Sequence, residues 1–166
     1  MYKCRKTFIL LLFVLVLPAF ALLSACGGTS AGARGATHTI KVVAAENFYG
    51  DIARQIGGSH VTVTSILSNP NVDPHEYQLN TRTELAVSQA DLVIENGAGY
   101  DAWMDKILSS APDSHRLLLI GYNAASIHLP ENEHVWYSFD NAATIAQALT
   151  ADLQKLDPAD ASSFEN

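Results

Sequence analysis

The sequence contains little cysteine and little positive charge. Its 166 residues include only two cysteines, Cys4 and Cys26, both near the amino terminus. A disulfide therefore cannot cross-link the body of the chain, and no thiol is available there as a nucleophile. The 17 acidic residues outnumber the ten basic ones, and three of the ten (Lys3, Arg5 and Lys6) precede Cys26. Because nucleic acid binding needs clustered Lys and Arg, this charge argues against a nucleic acid partner.

Several catalytic signatures are also missing. The sequence has no H-E-x-x-H motif, and no serine lies in a G-x-S-x-G pattern. The segment Gly97-Ala98-Gly99 lacks the third glycine of a dinucleotide loop and is followed by Asp101, so phosphate binding is not predicted. Carboxylates are frequent, but they cannot be assigned as acid or base without geometry. Those that lie in loops after predicted strands are Glu46, Asp73, Glu76, Glu131 and Glu133.

Residues 1–25 have the pattern of a secretory signal peptide. A short basic stretch precedes the apolar run Phe8–Leu17, and small residues lead up to Cys26. The alternative is a membrane-spanning helix, which needs about 20 apolar residues. The apolar stretch contains Pro18 and ends at Leu23, so a signal peptide is the better interpretation.

The end of this leader, Leu23-Ser24-Ala25-Cys26, resembles the bacterial lipobox, in which the cysteine is lipidated and becomes the first residue of the mature protein. The alternative is ordinary signal cleavage that leaves a free thiol. Residues 26–38 are rich in Gly, Ser, Ala and Thr, a composition that predicts a flexible tether. We therefore expect an exported protein that is anchored through Cys26 to the outer face of the cell membrane.

From Thr39 onward, short β-branched or apolar runs alternate with amphipathic helical patterns. The predicted strands are 39–44, 60–67, 91–95 and 116–120, and the predicted helices are 47–56, 81–89, 100–109 and 140–155. Thr81 and Glu84 fit a capping box at the start of the second helix. This alternation predicts an α/β fold with a four-stranded parallel sheet flanked by helices.

Two histidines lie in loops that follow predicted strands, where open α/β sheets bind their ligands. His75 lies in 69–77, where two prolines restrict the backbone, and His134 lies in 131–137, ahead of an aromatic pair. Neutral imidazoles suit zinc, manganese, iron or copper. The alternative for each is a loop histidine hydrogen-bonded to backbone. Surface roles are predicted for the other four histidines, which are His38, His60, His115 and His128.

These motifs, taken in order, resemble those of the metal-specific substrate-binding lipoproteins of bacterial ABC transporters, the zinc and manganese type (cluster A-I). The matching segments are the lipobox, 44–58, 69–79, 90–108, 132–138 and 156–166. In that family the first metal-ligand histidine lies in a D-P-H-x-Y motif, which corresponds to His75. The second lies in an N-x-H-x-W motif, which corresponds to His134. The resemblance therefore implies that both histidines are metal ligands.

Members of this family have two α/β lobes of a periplasmic-binding-protein-like fold, joined by a long helix, with the metal between them. The resemblance implies that 39–140 is the N-terminal, metal-binding lobe and that 141–166 is a helix and the start of the connection between lobes. The C-terminal lobe, which carries the remaining ligands, is then absent from this sequence. The chain would supply half of a metal site, bind metal weakly and expose apolar surface. Phe139 replaces a proline that is usual in the family.

The implied function is not enzymatic. The protein would capture zinc or manganese outside the cytoplasm and deliver it to an ABC transporter permease. One alternative is a surface adhesin. A less favoured one is a metal-dependent hydrolase in which His75 and His134 hold an ion that activates water.

Overall fold

The computed structural model describes residues 39–165. The predicted signal peptide, the lipidation site Cys26, the tether and His38 lie outside the described residues. Within 39–165 no helix combines the length and the hydropathy that crossing a bilayer requires.

Four parallel strands form a single sheet. They are β1 (Ile40–Glu46), β2 (Val61–Leu67), β3 (Leu92–Glu95) and β4 (Leu117–Ile120), in the order β2-β1-β3-β4. All four residues of β3 are buried, as expected for a strand covered on both faces. The predicted four-stranded parallel sheet is confirmed, and each strand bound differs from its prediction by no more than two residues.

Within residues 39–165, five helices accompany the sheet: α1 (Asn47–Gly57), α2 (Thr81–Ser88), α3 (Ala102–Ser110), α4 (Gly121–Ala124) and α5 (Phe139–Leu156). Short 3-10 segments occupy Gly58–His60, Pro74–Glu76, Val135–Tyr137 and Pro158–Phe164. The four long helices match the predicted ones. The one-turn helix α4 and the 3-10 segments are too short to give a hydrophobic periodicity, so sequence pattern did not predict them.

The sheet separates two apolar layers. On one face, the buried side chains of β1 and β3 pack against α1 and α5, with Phe164 closing the layer. On the other face they pack against α2 and α3. The first layer includes Ile40, Leu92, Ile145, Leu149 and Leu153, and the second includes Val43, Val93, Val87, Met104 and Ile107. The alternation of side chains along each strand assigns them to these two layers.

The start of α2 differs from the prediction. The side chain of Asn80, not that of Thr81, accepts the backbone N–H of Thr83, at 3.1 Å. Thr81 is the first residue of the helix, so it does not act as the cap. Asn is among the best N-cap residues, which explains why the position before Thr81 takes this role.

Candidate metal-binding site

The strand order reverses at β1, because β2 lies on one side of it and β3 on the other. Such a reversal opens a crevice at the carboxyl ends of the strands, where ligands of open α/β sheets bind. Glu46 ends β1 and Glu95 ends β3 at this edge. The loops that carry His75 and His134 follow β2 and β4, so both histidines lie at the same edge.

The residues before His75 fix its backbone. The Asp73 carboxylate accepts a 2.9 Å hydrogen bond from the His75 backbone N–H, and Pro74 begins the 3-10 turn Pro74–Glu76. The His75 side chain is about half exposed, and its Nε2 lies 3.5 Å from Oε1 of Glu133. The local sequence therefore holds the backbone while it leaves the imidazole accessible to an ion from solvent.

His134 is held in a similar way by Asn132. The Asn132 Oδ1 accepts the His134 backbone N–H at 3.0 Å and lies 3.1 Å from Nδ1 of the imidazole. When Nδ1 carries the ring proton, it donates to Asn132, and Nε2 keeps its lone pair for a metal ion. The His134 Nδ1 lies 3.8 Å from the same Glu133 oxygen that approaches His75.

Glu133 and Tyr100 lie between the two histidines. The rings of His75 and His134 meet the Tyr100 ring edge-on, with centroid distances of 5.3 and 5.4 Å. Glu133 thus brings one carboxylate oxygen within 4 Å of a nitrogen from each ring. These three donors are not all within 4.8 Å of one another, so one ion would have to draw the two imidazoles closer together.

An aromatic wall supports this arrangement. Trp136 stacks on Phe48 of α1 with a centroid distance of 4.3 Å, and it lies 4.8 Å from Tyr100 and 5.1 Å from His134. These rings restrict the orientation of His134 and cover one side of it. The aromatic pair Trp136 and Tyr137, noted in the sequence, therefore packs around the candidate site rather than only in the core.

Asn96 joins the loop of His134 to the sheet. It follows β3, is completely buried, and donates from Nδ2 to the backbone carbonyl of Glu133 at 3.0 Å. Its Oδ1 accepts the Tyr49 hydroxyl at 2.6 Å, and its backbone N–H donates to Asp101 at 2.6 Å. Sequence reasoning did not select Asn96; its only signal was a polar residue directly after a buried strand.

Two buried carboxyl groups lie beneath the site at the ends of β1 and β3. Glu46 and Glu95 are each 2% exposed, and both side-chain oxygens of Glu46 lack a hydrogen-bond partner among the described residues. Burial raises the pKa of Glu46 to about 9, with Asp101 and Glu95 adding to the shift. Burial also raises the pKa of Glu95 to about 8, with Asp101 and Asp105 adding to it. Both groups are therefore mainly protonated at neutral pH.

The Asp101 carboxylate takes up the backbone N–H donors at the Gly97-Ala98-Gly99 turn. All three residues have positive φ, and the backbone N–H groups of Asn96 and Gly97 donate to the Asp101 carboxylate at 2.6 and 2.8 Å. A phosphate would have to displace Asp101 from these donors. The backbone donors of this turn are therefore already paired within the chain.

The remaining described histidines lie elsewhere. His115 is almost fully exposed, as predicted. The His128 Nε2 lies 2.7 Å from the Tyr122 carbonyl, and its ring packs on Tyr122, so it makes a local backbone contact. His60 differs from the prediction of a solvated residue, because it is only 25% exposed and lies between two carboxylates.

An apolar groove of about 400 Å³ adjoins His134. Its exposed lining side chains include Ile127, Leu129 and Tyr137, and Phe139 next to it is 94% exposed. Large apolar side chains concentrated in this way at a surface are typical of an interface.

Comparison with known proteins identifies the family. A family model described as the zinc-uptake complex component A, periplasmic, matches residues 42–166. The chain belongs to this family.

Among curated relatives, a metal ABC transporter substrate-binding lipoprotein of Streptococcus cristatus, ScbA, is 29% identical over 178 residues, covering 99% of this chain and 55% of the relative. The manganese-binding lipoprotein MntA of Bacillus subtilis is 29% identical over 160 residues, covering 92% and 52%. The chain therefore spans about half the length of the curated relatives it matches.

Solved structures share the fold. The periplasmic zinc-binding protein TroA of Treponema pallidum matches with a TM-score of 0.68 at 24% identity, over 76% of this chain and 48% of that one. A manganese-bound periplasmic metal-binding protein of Candidatus Liberibacter asiaticus matches with a TM-score of 0.64 at 26% identity, over 76% and 49%. The α/β architecture is that of periplasmic metal-binding proteins.

Proposed function

We propose that this chain supplies part of the metal site of an extracytoplasmic substrate-binding protein, which captures zinc or manganese and delivers it to an ABC transporter permease. The observation that carries the proposal is the convergence of two histidine rings. The rings of His75 and His134 both meet the Tyr100 ring edge-on, at centroid distances of 5.3 and 5.4 Å, and both lie beside the Glu133 carboxylate. The match to a zinc-uptake family and the similarity to a manganese-binding lipoprotein support the choice of metal.

In this proposal His75 and His134 are the metal ligands, and Glu133 supplies negative charge beside them. Two neutral imidazoles and a carboxylate suit zinc, and manganese accepts the same donors with a stronger preference for oxygen. A closed zinc site normally takes four protein ligands, so the described residues leave the coordination incomplete. We expect the isolated chain to bind either ion weakly.

We also propose that the exposed apolar groove beside His134 is a docking surface for a second lobe. A second α/β lobe that docks against Leu129 and Tyr137 would bury apolar surface and enclose the ion. The lipid anchor on Cys26 would hold the protein at the outer face of the membrane, near the permease. The role is binding and transfer, not catalysis.

Titration of zinc and manganese into the purified chain tests the proposal. Tryptophan fluorescence is a suitable readout because Trp136 lies 5.1 Å from His134. We expect a change with micromolar or weaker affinity that is lost in His75→Ala and His134→Ala and unchanged in the control His115→Ala. Unchanged binding in His75→Ala would contradict the proposed ligand set. Submicromolar affinity that depends on His75, in a chain shown by light scattering to be monomeric, would contradict the incomplete site.

A further inference from the structure

We propose a second metal site, formed by His60, Asp157 and Asp160, at the opposite edge of the sheet. His60 ends the 3-10 turn that leads into β2, so it lies at the amino-terminal edge of the strands. The seven residues of β2 span roughly 20 Å at about 3.3 Å per residue, which separates this cluster from the loops of His75 and His134. The two sites therefore cannot share an ion.

The spacing of the three side chains suits a metal ion. The His60 Nδ1 lies 3.4 Å from Asp160 Oδ2 and 3.9 Å from Asp157 Oδ2, and one donor atom from each residue falls within 4.8 Å of the others. Ligands bound at about 2.0–2.2 Å in tetrahedral geometry lie roughly 3.3–3.6 Å apart. Of the three separations, the one between His60 and Asp160 already meets this value, and the one between His60 and Asp157 has to shorten by about half an ångström. The two aspartate oxygens lie within 4.8 Å of each other, so they also have to move closer together.

The chain holds these donors in place before any ion arrives. Asp157 caps the turn Pro158–Phe164, because its Oδ1 accepts the Asp160 backbone N–H. Its other oxygen, Oδ2, faces the His60 imidazole. The His60 ring packs edge-on against Phe164, itself buried, at a centroid distance of 5.5 Å. Packing and a backbone hydrogen bond thus set the direction of both groups.

A simple ion pair explains this cluster less well. Both nitrogen–oxygen separations exceed the usual 2.7–3.2 Å of a hydrogen bond, so neither carboxylate is hydrogen-bonded to the ring. The Asp157 and Asp160 side chains are 18% and 39% exposed, and two carboxylates that lie this close together repel each other. A divalent cation between them removes this repulsion more completely than one imidazolium does.

One imidazole nitrogen and two carboxylate oxygens suit zinc, and their partial exposure leaves room for water as a fourth ligand. The ion would link the segment after α5 to the start of β2, so its expected effect is stabilisation of the fold.

The test uses the chain with His75→Ala and His134→Ala, in which the first site is absent. Calorimetric titration of zinc should then show one remaining equivalent, and zinc should raise the melting temperature. Adding His60→Ala or Asp160→Asn should weaken this binding at least about tenfold. Adding His115→Ala should leave it unchanged, since His115 has a single carboxylate neighbour, Asp113, and is almost fully exposed.

Asp157→Asn separates a loss of ligand charge from a loss of local structure. The Asn oxygen can still accept the Asp160 N–H, while the negative charge is lost. Circular dichroism should show this variant folded, and its zinc affinity should be reduced. The proposal is overturned if zinc does not bind once His75 and His134 are removed, or if the remaining binding is the same in His60→Ala and Asp160→Asn. Neither result bears on the site at His75 and His134.

Discussion

Glu46→Gln should make the protein more stable at alkaline pH. Glu46 is 2% exposed, neither of its oxygens has a hydrogen-bond partner among the described residues, and its pKa is raised to about 9. The native state therefore holds a proton that the unfolded chain releases near pH 4.5. Since the native state binds more protons, stability falls as the pH rises from about 4.5 to about 9. Glutamine stays neutral throughout and removes this contribution.

The magnitude follows from linkage, at about 1.4 kcal/mol per pH unit for one fully coupled group. From pH 6 to pH 8, ionisation of Glu46 should lower the unfolding free energy of the native chain by on the order of 1–3 kcal/mol. The unfolding free energy of Glu46→Gln should not show this decrease. Urea unfolding of the metal-free chain at several pH values, followed by tryptophan fluorescence, measures this difference. Glu84→Gln is the matched control, because Glu84 is exposed. Parallel pH profiles for the native chain and Glu46→Gln would show that the folded protein does not hold a proton on Glu46 in this pH range.

Three further substitutions test single contacts in the structure. Asn96→Ala should weaken metal binding without removing a ligand, because it frees the Glu133 carbonyl; unchanged zinc affinity in the folded variant would contradict this. Gly121→Ala should lower the melting temperature, since a Cβ there would clash with the Tyr49 hydroxyl. A melting temperature equal to that of the native chain would contradict this close approach. Leu129→Ser should leave the melting temperature unchanged because Leu129 is 60% exposed, and a lower melting temperature would contradict its exposed position.

Most of the fold could be predicted because the sheet is buried on both faces. The continuous apolar run of β3 and the β-branched run of β2 indicate strands without tertiary information. The prediction that Thr81 caps α2 is wrong because two capping signals overlap there. One is the pair Thr81 and Glu84, and the other is Asn80 by itself. Local geometry, with the Asn80 side chain on the Thr83 N–H, decided between them.

The candidate site was predictable only in part. The constraint on the His75 backbone is visible in residues 73–75 alone. The Asp73 carboxylate accepts the His75 N–H, and Pro74 restricts the backbone between them. The approach of Glu133 to His75 depends on a hydrogen bond from Asn96, 37 residues earlier in the chain. Likewise, His60 meets Asp157 only through the packing of α5 on the sheet. Such contacts between distant segments leave no local pattern in a sequence.

We propose that His75 and His134 bind one ion together. Nuclear magnetic resonance of the imidazole nitrogens during zinc titration is the sharpest test of this shared site. We expect the His75 and His134 signals to change together, with one shared zinc dependence, while the His115 signal stays constant. Signals of the two rings that change at different zinc concentrations, or a change in only one of them, would contradict it.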